Sequence, residues 1–104
     1  MNKAELLALA VLTMNNAFDP DSKAFKLRNP GLLRDEDGVR SFPTWAGGFR
    51  ALVVDMERLN QALSIRKAFE KYGLLKIEHE FLVYDFLGRA FGRDITKDTV
   101  LAEI

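Results

Sequence analysis

A mainly α fold of the α+β class, with one small β-hairpin near residues 32–42, is what this chain of 104 residues predicts. Apolar residues recur at helical spacing in several stretches, and Asn or Gly residues close them. A lone Asp-Gly pair, Asp37-Gly38, sits between two short runs suited to strands. At this length one compact helical domain over residues 1–104 is expected, burying roughly 60–70% of the surface exposed by the unfolded chain.

The first helix is predicted over Lys3 to Asn16. Leu6, Ala10, Thr13 and Met14 share a stripe that Leu7 and Val11 flank, and Asn15-Asn16 tolerates the left-handed geometry of a helix end. Phe18-Asp19-Pro20-Asp21-Ser22 reads as a turn, because Asp19 precedes a proline. Ser22 or Asp21 then caps a helical turn reaching Arg28. Asn29-Pro30-Gly31 has the composition of a type II turn, with Gly31 supplying the positive φ. The runs Leu32-Leu33-Arg34 and Val39-Arg40-Ser41-Phe42 flank Asp35-Glu36-Asp37-Gly38 as a hairpin.

Thr44 is the expected cap of the next helix, in which Phe49, Leu52, Val53, Met56 and Leu59 fall on one face. Arg50, Asp55, Glu57 and Arg58 are expected to face water. Ser64 caps a helix from Ile65 to Tyr72, which Gly73 stops. Leu74-Leu75-Lys76-Ile77 suits either a strand or the approach to a helix. Glu78 to Phe91 reads as a buried helix, with Phe81, Leu82, Tyr84, Leu87 and Phe91 in the core and Gly92 at its end. Thr96 or Asp98 caps a last short helix that reaches Leu101 and Ile104. The helices at Lys3–Asn16, Thr44–Leu59 and Glu78–Phe91 are expected to make the core.

Composition removes whole classes of chemistry. There is no cysteine, so disulfides, thiol catalysis and Cys-based metal sites are out. Fifteen basic residues balance fifteen acidic ones, which argues against a nucleic-acid partner held by excess positive charge. Leu6 to Leu12 has the length of a signal-peptide core, but Glu5 and Asn15-Asn16 are wrong for its flanks. No apolar run reaches the ~18 residues of a membrane span. No cofactor is expected, and a cytoplasmic location fits best. Glu78, His79, Glu80 and Asp85 are ligand types, yet neighbours on a helix point apart. Acidic residues favouring the helix dipole explain them better.

The joint order of several short motifs is more specific than any one of them. Ser22, Ala24, Asn29-Pro30-Gly31 and Leu33-Arg34 form a first block. Phe42-Pro43, Gly48 and Ala51-Leu52 form a second. With this spacing the stretch from Met14 to Leu52 resembles a small phage and bacterial domain family, often labelled lysozyme-like, built on an N-P-G-N-L/I core. The resemblance implies a reduced lysozyme-like fold and cleavage of cell-wall glycan. In that pattern a Glu falls at position 15 and Asn at positions 27, 28 and 32. Here those positions hold Asn15, Leu27, Arg28 and Leu32. An amide hydrogen-bonds a sugar but cannot give the leaving oxygen a proton, as glycoside cleavage requires.

The expectation is therefore a non-enzymatic member of that family that binds a protein or glycan partner around Asn15, Arg28, Asn29 and Trp45. Trp45 suits either a sugar platform or a core anchor. The alternative is a peptidoglycan-cleaving glycosidase that uses Asp19 or Asp21 as its acid; turn and cap roles account for both residues as well. A third reading is a small interaction protein, which an exposed apolar patch favours.

Overall fold

The computed structural model describes residues 1–73 and 76–104. Among them lie five α-helices and one two-stranded antiparallel sheet, so the fold is mainly α with a small β part. In chain order these are α1 (Lys3–Met14), α2 (Lys23–Lys26), β1 (Arg34–Asp35), β2 (Gly38–Val39), α3 (Trp45–Glu57), α4 (Ile65–Glu70) and α5 (Ile77–Phe91). A 3-10 turn, Leu101–Glu103, closes the chain. The Cα radius of gyration is 13.0 Å, which matches a well-collapsed chain of about 100 residues.

Side-chain caps set the helix starts. Asn2 and Glu5 form a reciprocal capping box on α1. Ser22, Thr44 and Ser64 accept hydrogen bonds from the backbone N–H of Phe25, Gly47 and Lys67, starting α2, α3 and α4 as their types predict. Asn16 takes φ 51° just past α1, and Gly92 takes φ 68° as the left-handed end of α5. The hairpin pairs Arg34 with Val39 and Asp35 with Gly38, so Glu36-Asp37 rather than Asp37-Gly38 makes the bend, and the Asp35 carboxylate accepts from Asp37 N–H at 2.8 Å across it.

α1 is the central element and packs against both α3 and α5. Leu7, Ala8, Ala10, Val11, Leu12 and Met14 are all buried, while Thr13, predicted on the core stripe, is exposed. The helix is covered on most sides, so its apolar surface is wider than one stripe. The main core joins Leu7, Val11 and Met14 to Leu52 and Met56 of α3, Ile65 and Phe69 of α4, Val83 and Leu87 of α5, and Leu101. A smaller cluster of Leu12, Ala17 and Ala24 carries Trp45 and Leu32 on its edge.

Three expectations need correction. The Asn29-Pro30-Gly31 turn closes through Leu32 N–H to Asn29 O at 3.0 Å without a positive φ at Gly31. The left-handed residues are instead Arg28 and Leu32, at φ 51° and 49°. Gly31 is needed for space, because a Cβ there would come within 2.6 Å of Leu52 Cδ1. Secondly, α5 is not buried all round. Val83 and Leu87 face the core, but Phe81 is 80% exposed, and Ile77 and Leu82 are also exposed. Apolar residues on both sides of the helix leave periodicity unable to choose the inner face. Thirdly, Thr96 and Asp98 cap no helix. Thr96 turns the chain through its own hydroxyl and Thr99, and Val100 then bridges to Ser64 ahead of the 3-10 turn.

Lys76 and Ile77 form the start of α5; the ambiguous Leu74-Leu75 lies outside the described residues. No helix among the described residues is long and apolar enough to cross a membrane.

Candidate functional site

The four residues expected to bind a ligand do not share one open surface. Asn29 is fully buried and its amide is committed internally. Its Nδ2 donates to the carbonyls of Leu33 and Arg40 at 3.0 and 2.9 Å, and its Oδ1 accepts from Leu33 N–H at 2.9 Å. Both donors are used, so the side chain ties the turn to the residues that flank the two hairpin strands and offers nothing outward. Trp45 is half-buried at the start of α3. Its ring meets Phe25 edge-to-face, with centroids 5.7 Å apart, which pins α2 to α3. Arg28 is exposed, and its guanidinium donates to Pro43 O at 3.1 Å.

Asn15 follows the last turn of α1 and is half-buried. Its Nδ2 donates to Pro30 O at 2.9 Å, which joins the end of α1 to the Asn-Pro-Gly turn. The same amide borders Gly73, where an added Cβ would meet Asn15 Oδ1 at 3.0 Å. Asp19 and Asp21 are exposed, and Asp19 Oδ1 accepts from Asp21 N–H at 2.9 Å as a turn residue. Glu80 pairs with Arg66 and Asp85 with Arg89. Among the described residues no three His, Asp or Glu side chains converge as a metal site would require.

An open groove of about 680 Å³ lies one residue away from the Asn15–Pro30 contact, between the hairpin and α3. Gly31, Leu32 and Leu33 line it ahead of the hairpin, and Ala51 and Val54 line it from α3. Arg34, Arg40, Arg50, Arg58 and Lys71 ring it. Its one carboxylate among the described residues, Asp55, accepts from Tyr72 O–H at 2.7 Å and pairs with Lys71 Nζ at 2.8 Å. Asp55 was expected to face water; packing against Tyr72 and Lys71 takes it into the groove wall. Arg40 also stacks on the Phe42 ring, 4.6 Å from its centroid, which holds the guanidinium at the rim.

Sequence reasoning missed this groove. On α3, Gly47, Arg50, Ala51, Val54, Asp55 and Arg58 lie at helical spacing opposite the core stripe, and that signal is visible in the sequence. What joins it to Arg34 and Arg40 is the position in which Asn29 holds the hairpin ends, which the sequence pattern does not carry.

Burial, the hydrogen bond to Asp55 and that carboxylate's charge, in that order, push the Tyr72 hydroxyl well above the usual tyrosine range. Tyr84 is pushed up to about 12, mainly by burial, with Glu80's charge adding. The unfolded chain ionises its tyrosines near pH ~10, whereas the fold keeps these protons. Their stabilising contribution is therefore present below about pH 10 and is lost as pH rises beyond it. Urea unfolding of Tyr72→Phe at several alkaline pH values is expected to show a shallower decline than wild type. Tyr84 leaves part of the decline in place between about 10 and about 12. Parallel declines would mean that Tyr72 ionises as freely in the fold as outside it.

Compared with protein-family models, curated proteins and solved structures, the chain matches none of them. Fold and site define a small, mainly α protein with a cation-lined groove beside its hairpin.

Proposed function

We propose that this protein is a non-enzymatic binding protein on a frame like that of the small phage and bacterial lysozyme-like domains, and that it holds a glycan at the hairpin groove. One observation carries the reading. The residue at the position of the pattern's acid is Asn15, an amide that has no proton to give a leaving oxygen and that donates one N–H to Pro30 O at 2.9 Å. Backbone geometry adds support. The resembled pattern has Asn at positions 28 and 32, and both positions are left-handed here, a conformation that Asn tolerates better than Arg or Leu. Gly48, the glycine of the second block, lies where a Cβ would come within 1.9 Å of Arg28 O.

The enzymatic alternative through Asp19 or Asp21 lacks a comparable basis. A carboxylic acid that donates a proton to a leaving oxygen works from an enclosed site, and both of these residues are exposed in a turn. The interaction-protein reading has a specific observation in its favour: Ile77, Phe81, Leu82 and Phe86 of α5 are exposed large apolar residues on one helix.

Sedimentation with insoluble peptidoglycan, read beside turbidity clearance, tests the proposal. Wild type is expected to co-sediment without clearing the suspension. Asn15→Glu, checked for folding by circular dichroism, replaces the amide with an acid and is the variant from which any clearance would arise. Clearance by wild type that disappears in Asp19→Ala/Asp21→Ala would establish an enzyme and end the binding-only reading. Neither sedimentation nor clearance would move the role to a protein partner on the α5 face.

A further inference from the structure

We propose that the ligand of the hairpin groove is a short glycan bearing negatively charged groups, gripped by Arg34, Arg40, Arg50 and Arg58; this rests on the glycan-binding reading above. The chain as a whole is neutral, so the charge of the groove is a matter of placement. Five of its fifteen cations line this one surface, against the single carboxylate of Asp55. Asp55 is already satisfied by Tyr72 and Lys71. The four arginines have no carboxylate within ion-pair distance among the described residues. Unpaired like charges in one groove repel each other, and a bound anion relieves that repulsion. A guanidinium presents a planar fork of donors that matches carboxylate, sulfate or phosphate oxygens two at a time.

Shape and composition select the kind of anion. A groove of about 680 Å³ falls within the ~300–1,000 Å³ range of small-ligand sites. Single-stranded nucleic acid is usually held by exposed aromatic rings under the bases. The groove's one aromatic among the described residues, Tyr72, is 3% exposed and its hydroxyl is tied to Asp55. Between the cations, Leu32, Leu33, Ala51 and Val54 present apolar surface suited to the C–H faces of sugar rings.

Fluorescence polarisation with three labelled probes tests this: a sulfated hexasaccharide, the neutral chitohexaose and a short oligothymidylate. Arg50→Ala and Arg58→Ala lie on an exposed helix face and keep the helix, with unfolding midpoints checked beside wild type. The sulfated probe is expected to bind best. Each substitution should weaken it roughly tenfold, and binding should fall between about 0.05 M and about 0.5 M salt. Equal binding of chitohexaose, indifferent to both substitutions, would overturn the anionic ligand while leaving glycan binding intact. Tighter binding of the oligothymidylate would overturn it in favour of nucleic acid. Failure of both glycans to bind would remove this inference and the glycan reading together.

Discussion

Gly48→Ala is expected to lower the thermal unfolding midpoint by more than about 10 °C, the largest effect of any single methyl group in this chain. A Cβ at position 48 would lie 1.9 Å from Arg28 O and 3.2 Å from Pro30 Cδ. The obstruction is backbone rather than the end of a movable side chain. Relief requires α3 to back away from the residue 28–30 segment, which carries the buried Asn29 and the Asn15 contact. Overpacking of this kind costs about 3 kcal/mol or more, and a domain near this size loses about 4–8 °C per kcal/mol. Gly47→Ala is the control. Its Cβ meets only Thr44 Oγ1, at 3.1 Å, and alanine is the better helix former, so the net change should stay within about 1 kcal/mol. Equal midpoints for the two variants would show that α3 does not approach the Arg28 carbonyl as described.

Asn29→Ala follows closely, with a loss of roughly 3 kcal/mol expected from urea unfolding. The substitution strands the Leu33 N–H and removes a donor from each of the Leu33 and Arg40 carbonyls, in a place where water does not reach the side chain. Asn29→Asp should rescue little. It restores the acceptor for Leu33 N–H, but turns the two donor positions into carboxylate oxygens facing carbonyls. Its deficit should also be smaller in acid, where the carboxyl carries a proton and one donor returns. A loss below about 1 kcal/mol in Asn29→Ala would point to water taking over the three bonds, and would reopen Asn29 as a ligand-facing residue.

The predicted and observed structures agree where interactions are local. Ser22, Thr44 and Ser64 cap helices because each hydroxyl reaches the N–H three residues on, a distance that any sequence window spans. Gly92 ends α5 for an equally local reason. The hairpin forms in the predicted stretch, but Glu36-Asp37 makes its bend and Gly38 pairs with Asp35 inside the second strand. Agreement fails where a residue's role depends on distant parts of the chain. Asn29 looked like a polar residue available to a ligand until the hairpin carbonyls closed on it. Phe81 and Leu82 looked like core because they are large and apolar, yet Val83 and Leu87 are the residues that α1 meets.

The sequence by itself determined the helical class, the caps, the place of the hairpin and the absence of thiol chemistry, all of which rest on residue type and spacings of a few positions. Only the tertiary structure decided which side of α5 turns inward and that Gly31 serves Leu52 rather than a positive φ. It also decided that Arg34 and Arg40 line one groove with Arg50 and Arg58. The reason is physical. Burial and charge clustering depend on which surfaces exclude water together, and that is set by Asn29 holding the hairpin ends beside α3 and by the packing of α3 and α5 on α1.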